Sequence, residues 1–375
     1  MNEISLCMIA KNEENYLGAC LDSIKDAVDE INIVDTGSTD NTIEIAKRYT
    51  DRIFHFDWTG SFADARNFSF EQATKDYVMW LDADDTLSPE GAWKLKHVPA
   101  LLSEEVKYIV MPYYYYFDAQ GDPILISYRA RLIRRDCGIR WEGYIHEYLP
   151  LINASGGCSL DIPVLHTRQD FKYSRERNFK LIQQRINDGE AVAKDYFYHG
   201  MMLMGIHAYE DGMKSLLKFD ELIGDNIPVN FGYAYLLMYD YYLAQGMYKN
   251  AWNVLANHEQ SFVGRADYYT MLGTYKRDID KDTDAAIDYY ERALKCPNTQ
   301  KTPAFIHAKV HRQYLYFMPL IGLGSCYLKK AEFTKALEYY IKALENNPAN
   351  KDVYDMVRVI KEADKLKKAI DIVAV

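Results

Sequence analysis

The sequence predicts an α/β domain over residues 1–171 followed by an all-helical repeat domain over residues 172–375. Three observations carry this. Short β-type runs alternate with helical stretches through the first 170 or so residues. A cluster of carboxylates, Asp82-Ala83-Asp84-Asp85, closes one of those runs. From Lys172 onward helical periodicity continues almost without a break, with small residues returning at repeat-like spacings.

The elements follow in order. Ile4–Ala10 (ISLCMIA) is short, apolar and strand-like, and Lys11-Asn12-Glu13-Glu14 opens a helical segment reaching Ile24. Ile31–Val34 is a second buried strand, followed by Asp35-Thr36-Gly37-Ser38-Thr39-Asp40. Thr42–Tyr49 has helical period, with Asp40 as its expected N-cap. Arg52–Phe56 reads as strand, Ala63–Ala73 as helix and Tyr77–Leu81 (YVMWL) as a buried strand. Alternation at this spacing implies parallel strands covered by helices, whose ligands collect beyond the carboxyl ends of the strands. The loops after Ala10, Val34 and Leu81 are therefore expected to face one cleft. In the second half, Gly324, Tyr327, Ala336, Tyr340, Ala343 and Pro348 fit the tetratricopeptide pattern. Ala286, Tyr290, Ala293 and Pro297 repeat its second helix, and Gly246 with Ala251, then Gly200, Leu203 and Gly212, give weaker units. Such arrays supply binding surfaces or dimer contacts more often than chemistry.

Composition narrows the function. With 44 Lys+Arg against 54 Asp+Glu the formal charge is −10, which argues against a general nucleic-acid binder. The six cysteines form no CxxC pair and no zinc-type spacing. No apolar run is long enough to span a membrane, and acidic Glu3 is unlike a signal peptide, so a cytoplasmic protein is expected. Tyrosine stands out at 32 residues, which suits helix packing and ligand contact alike.

Three carboxylates at a strand end repel one another. A divalent cation shared with a diphosphate would relieve this, since Mg²⁺ and Mn²⁺ prefer oxygen ligands; a solvated acidic turn is the alternative. Taken together, Ile4–Glu14, Val34–Asp40, Phe62-Ala63-Asp64-Ala65-Arg66-Asn67 and Leu81–Asp85 resemble glycosyltransferase family 2, whose catalytic domain has the Rossmann-like GT-A fold. The resemblance implies inverting transfer from a nucleotide sugar, often a UDP-sugar, with Mn²⁺ or Mg²⁺. It implies that Ala10 and Glu13 line the nucleoside pocket and that Asp35 accepts from the uracil imide. Arg66 would reach the base or phosphates, Asp82 would sit near the ribose or metal, and Asp84 would be the main metal ligand.

A second constellation, Arg131-Leu132-Ile133-Arg134 with Trp141-Glu142-Gly143-Tyr144-Ile145-His146-Glu147, resembles one branch of that family. The branch includes lipopolysaccharide-core glucosyltransferases and peptide S-glycosyltransferases of the sublancin type, which also carry helical repeats. It adds Arg131 to the donor-binding set and makes Glu147 the expected base, with His146 as orienter or competing base and Glu142 as a third candidate. His166 lies where the branch has a histidine that could complete a metal shell, and Arg175 and Arg177 match its Arg-Asn segment. The acceptor stays open between a peptide or protein Cys/Ser side chain and an envelope or capsular glycan, with a homodimer through the repeats as a further expectation. A degenerate, non-catalytic interaction protein is the reading from a different class.

Overall fold

A computed structural model describes residues 2–119, 121–151, 155–168, 172–224, 231–262, 264–296 and 310–373. The chain divides into two compact units, the first ending at Ala191 and the second beginning at Val192.

The first unit is built on a sheet. Its strands are β1 (Ile4–Ala10), β2 (Glu30–Asp35), β3 (Ile53–His55), β4 (Tyr77–Trp80), β5 (Asp85–Leu87), β6 (Tyr108–Phe117), β7 (Pro123–Arg134), β8 (Gly157–Ser159) and β9 (Val164–His166). The helices are α1 (Leu17–Ile24), α2 (Thr42–Ala46), α3 (Phe62–Glu71), α4 (Pro89–His97) and α5 (Lys172–Asn187). Strand order is β3-β2-β1-β4-β7-β6-β9-β5, with β8 beside β6. The first four are mutually parallel, with Leu6 opposite both Ile31 and Met79. β1 is apolar on both faces because helices cover both sides of a parallel sheet. Ile4, Leu6 and Met8 pack on Leu17, Leu21 and Ile24 of α1, while Cys7, Val78 and Trp80 face Ala63 and Phe70 of α3. This is the two-residue alternation of an extended chain.

Because β1, β2 and β4 are parallel, their carboxyl ends lie along one edge. The long hairpin β6–β7 continues the sheet antiparallel to β4, and β9 returns antiparallel to β5, placing Asp85 opposite His166. Three local expectations change, the first being that helix α1 begins at Leu17 rather than opening at Lys11. Helix α2 stops at Ala46 rather than Tyr49, and its N-cap is Asn41. Asp40 still serves that turn: its Oδ1 accepts from the Thr42 amide at 3.0 Å and the Thr42 hydroxyl at 2.5 Å. A residue just outside the cap can therefore satisfy an end N–H that the cap itself leaves open. Helix α3 starts one residue earlier than its apolar period suggests, because Ser61 Oγ accepts from the Asp64 amide and caps it.

The second unit is helical: α6 (Ala193–Gly205), α7 (Tyr209–Ile223), α8 (Tyr233–Ala244), α9 (Tyr248–Ala256), α10 (Ala266–Tyr275), α11 (Thr283–Lys295), α12 (Arg312–Leu315), α13 (Phe317–Lys329), α14 (Phe333–Asn346) and α15 (Lys351–Val373). Successive helices pair as tetratricopeptide-like hairpins, α6 with α7, α8 with α9, α10 with α11 and α13 with α14. The repeat residues are the interlocks. Tyr290 of α11 fits between Gly273 and Gly322, where an added Cβ would come within 2.8 and 2.3 Å of its ring. Tyr340 of α14 lies the same way against Gly324. Ala251, Ala286, Ala293, Ala336 and Ala343 are fully buried. Pro297 lies outside the described residues. The tyrosine surplus is thus spent largely on helix packing, with α11 and α14 as its clearest cases.

Candidate active site

The apolar run of β4 ends at Trp80, and the chain turns through Asp82, Ala83 and Asp84 into β5 at Asp85. Each of the three acids meets its own arginine. Asp82 Oδ1 accepts from Arg66 at 2.6 Å, Asp84 Oδ2 from Arg168 at 2.6 Å, and Asp85 Oδ2 lies 2.9 Å from Arg131. The repulsion within the turn is therefore offset by the chain itself, a solution the sequence did not reveal.

Arg66 comes from the first turns of α3 and is buried between the rings of Trp80 and Trp141, 4.8 and 4.9 Å from their centroids. Its other edge donates from Nε to Glu147 Oε1 at 2.7 Å. Asp82 and Glu147, far apart in the chain, are thereby fixed to one guanidinium in a bridged, aromatic-walled arrangement. Burial alone would raise the Asp82 carboxyl, but Arg66 and Arg131 outweigh it and hold the group below the usual carboxylate range. Glu147 ends a tight loop in which Glu142 and Tyr148 exchange backbone hydrogen bonds of 2.9 Å. Within that loop His146 adopts a left-handed backbone at φ 54°, an uncommon conformation for a residue with a Cβ.

Arg131 has no surface to offer a ligand. Its side chain is 0% exposed, lying over Trp80 at 3.9 Å and Tyr113 at 4.3 Å. Contrary to the expectation of donor contact, it acts on the cleft through its pairing with Asp85 and through its charge on Asp82. Asp85 is itself saturated, accepting from Tyr113 Oη at 2.6 Å and the Asp82 amide at 3.1 Å and lying 3.2 Å from His166 Nδ1. His166 Nδ1 is also 2.9 Å from the Tyr113 hydroxyl and 3.6 Å from Asp84 Oδ1. Burial would lower the imidazole, yet its bond to Asp85 and the charges of Asp84, Asp85 and Asp82 raise it. Asp84 is raised chiefly by burial, with Asp82 and Asp85 adding to the effect.

Asp84, Asp85 and His166 each offer one ligand atom, all within 4.8 Å of one another. Oxygen and imidazole donors fit a hard divalent cation. Asp84 and His166 are the members best able to turn to one, because Asp85 is already engaged on both oxygens.

The remaining expected residues divide. Asp35 lies at the carboxyl end of β2 and is buried; its oxygens accept from the Gly37 and Ser38 amides at 3.1 and 3.0 Å, so turn chemistry uses part of its capacity. Ala10 is buried, with its carbonyl taken by the Thr36 amide and hydroxyl at 3.0 and 3.2 Å. Glu13 faces the acid turn and bonds Arg168; burial pushes its carboxyl up to about 7 against the pull of that arginine. Glu142 is exposed and accepts from Tyr148 Oη at 3.2 Å. Arg175 reaches Tyr116 Oη at 3.1 Å, and Arg177 lies over Phe62, so both have local partners. Arg168 and Tyr113 were missed. The one available signal for Arg168 was its position two residues beyond His166 at a strand end.

Similarities to known proteins agree with this geometry. The glycosyl transferase family 2 pattern matches residues 5–147. A TPR repeat-containing protein of Synechococcus elongatus is 36% identical over 39% of this chain and 35% of its own length. The SPbeta prophage-derived glycosyltransferase SunS of Bacillus subtilis is 27% identical over 57% of this chain and 52% of its own. The chain thus spans about a third to a half of these two relatives. The lipopolysaccharide core biosynthesis glycosyltransferase LpsC of Rhizobium meliloti is 32% identical over 48% of this chain and 71% of its own length. A solved structure of glucosyl-3-phosphoglycerate synthase from Mycobacterium tuberculosis, with Mn²⁺ and uridine-diphosphate-glucose, is 26% identical over 30% of this chain and 44% of that one. The TM-score of that match is 0.27. Among the described residues no helix is long and apolar enough to cross a membrane. With the family pattern lying over the sheet unit and a relative of 32% identity matched along 71% of its length, the chain belongs to glycosyl transferase family 2.

Proposed function

We propose that the chain moves a hexose-type sugar from a UDP-sugar, with inversion, to a Cys or Ser side chain of a peptide or protein. The observation that carries this reading is the Asp82–Arg66–Glu147 bridge, which holds an acid of the donor-side turn and a candidate base in one cluster. In this reading Asp35 and Glu13 flank the nucleoside, while Arg66 acts by fixing Asp82 and Glu147 rather than by touching the phosphates. Asp84, with His166 beside it, would hold Mn²⁺ or Mg²⁺. That ion supplies charge neutralisation for the departing diphosphate. Glu147 takes the proton from the acceptor thiol or hydroxyl as its sulfur or oxygen attacks the anomeric carbon, and the bond to the diphosphate oxygen breaks. His146, next in the same strained loop, positions that carboxylate. The helical hairpins would dock the acceptor.

A glycan acceptor is the second reading, favoured by the likeness to a lipopolysaccharide-core enzyme. Mass spectrometry of Cys- and Ser-containing peptides and of core oligosaccharides, each incubated with the chain, Mn²⁺ and a panel of UDP-hexoses, separates the two. A hexose mass added to a peptide Cys or Ser supports the first. Addition to oligosaccharide alone replaces it with the second.

A further inference from the structure

The three arginines that answer the acid turn are not equivalent. Arg131 is sealed between two rings at 0% exposure, and Arg66 is clamped between two tryptophans at 8%. Arg168 is 27% exposed and, among the described residues, rests against one ring, that of Tyr16 at 4.5 Å. It is also the arginine paired with Asp84, the acid best placed to receive a cation, and its other edge meets Glu13.

We propose that Arg168 is a displaceable counter-charge: it occupies the cation's position at Asp84 and yields it only when a nucleoside diphosphate arrives, so that cation and nucleotide bind together. This rests on the donor reading above. A guanidinium and a divalent cation on one buried carboxylate repel each other where little water screens them. Arg168 must therefore leave Asp84 Oδ2 before a cation can use it. The backbone around it need not move. Thr167 donates to the Asp84 carbonyl from both its amide and hydroxyl, at 2.9 and 2.7 Å, so a rotation of the Arg168 side chain is enough. Alone, an arriving cation costs Arg168 its bond to Asp84 and offers no new partner in exchange, leaving Glu13 as its remaining acid. A diphosphate does offer one, because its paired oxygens match the planar fork of a guanidinium. The predicted consequence is strong positive coupling between cation and nucleotide.

The test is Mn²⁺ titration of the full chain, followed by the electron paramagnetic resonance of free Mn²⁺, with and without UDP. Wild type, Arg168→Ala, Arg168→Lys and Asp84→Asn are compared, with thermal melts to confirm folding. Wild type is expected to bind Mn²⁺ weakly alone and about 5–150-fold more tightly with UDP, the usual span of such coupling. Arg168→Ala should bind Mn²⁺ alone at least about tenfold more tightly than wild type and so show a smaller coupling, leaving only what cation and diphosphate contribute directly, while Arg168→Lys should keep the wild-type value. Asp84→Asn should lose Mn²⁺ binding in both conditions. If Arg168→Ala binds Mn²⁺ no better than wild type while wild type shows full coupling, the counter-charge role is overturned and the donor reading stands. If wild type binds neither UDP nor Mn²⁺ in the other's presence, the donor reading falls and takes this proposal with it.

Discussion

In the sheet unit Arg131 and Asp85 lie 2.9 Å apart with neither side chain exposed, and in the helical unit Arg265 and Asp267 meet at 2.5 Å under nearly the same burial. The two pairs do different work. Arg265 and Asp267 are two residues apart at the start of α10, and Asp267 Oδ1 turns back to accept from the Tyr268 amide. That pair closes on its own turn. Asp85 passes its charge on to Tyr113 and His166, and through them to Asp84 at the cleft. A buried ion pair is thus structural or functional according to where its remaining lone pairs point, and burial alone does not tell them apart.

Two substitutions set this contrast against experiment. Glu147→Gln keeps an oxygen for Arg66 Nε but removes a base, and transfer should fall by about 10²–10⁴-fold while thermal stability changes little. A transfer assay beside a thermal melt reads both. A wild-type rate in the glutamine variant would remove Glu147 from the chemistry and leave His146 or Glu142 in its place. Asp267→Asn should do the converse. It replaces the carboxylate facing a buried guanidinium with a neutral amide, a loss of about 1.5–3 kcal/mol for a charged hydrogen bond, and should lower the melting temperature without slowing donor hydrolysis by the folded protein.

The smaller defect expected in the helical unit is steric. At Gly322 an added methyl would lie 2.3 Å from the Tyr290 ring, and helix-to-helix packing leaves that ring nowhere to go, since Gly273 receives its other side. Gly322→Ala should cost about 1–3 kcal/mol in a denaturant titration. A double variant that also shortens Tyr290 to Phe should still show the penalty, because the clash is with ring carbons rather than the hydroxyl. No effect would mean that the hairpins α10–α11 and α13–α14 are less tightly interlocked than they stand here.

What was legible in the sequence follows the same division. Strand ends and motif loops could be read because an apolar run and the polar turn after it are adjacent in the chain. The repeat hairpins could be read because glycine and tyrosine recur at helical spacing. The counter-charges could not. Arg66 lies 16 residues from Asp82, and Arg168 lies 84 residues from Asp84, so the first pairing exists only once α3 is packed on the sheet and the second only once β5 and β9 are laid side by side. Arg131 was misread for a related reason: a guanidinium in a site motif looks like a ligand contact until its burial between Trp80 and Tyr113 is seen. Asp40 shows the limit at short range, where a one-residue shift in the cap changed its position but kept its hydrogen bonds to Thr42.

The mildest difference between the units is electrostatic, and it concerns a histidine of the helical unit. His258 stacks on Tyr235 at 3.8 Å, its Nε2 lies 3.1 Å from Asp220, and its Nδ1 donates to the Val254 carbonyl at 2.7 Å. Burial would lower this imidazole, but the bond to Asp220, the Val254 carbonyl and the Asp220 charge raise it above its ordinary 6.5. Asp220 in turn is held below its ordinary 3.8, first by His258 and also by the Tyr235 hydroxyl. The signs fix the window. A raised imidazole stabilises the fold fully below 6.5 and loses that contribution as pH rises through its folded value. A lowered carboxyl stabilises above 3.8 and loses its share as pH falls through its own folded value. The pair therefore supports the helical unit in mildly acidic solution and fades toward alkaline pH. Comparing thermal melts of wild type and His258→Gln across that range should show wild type ahead near pH 6 and the gap narrowing by pH 8. A gap that widened instead would mean the imidazole is held neutral, with stacking on Tyr235 rather than charge as its contribution.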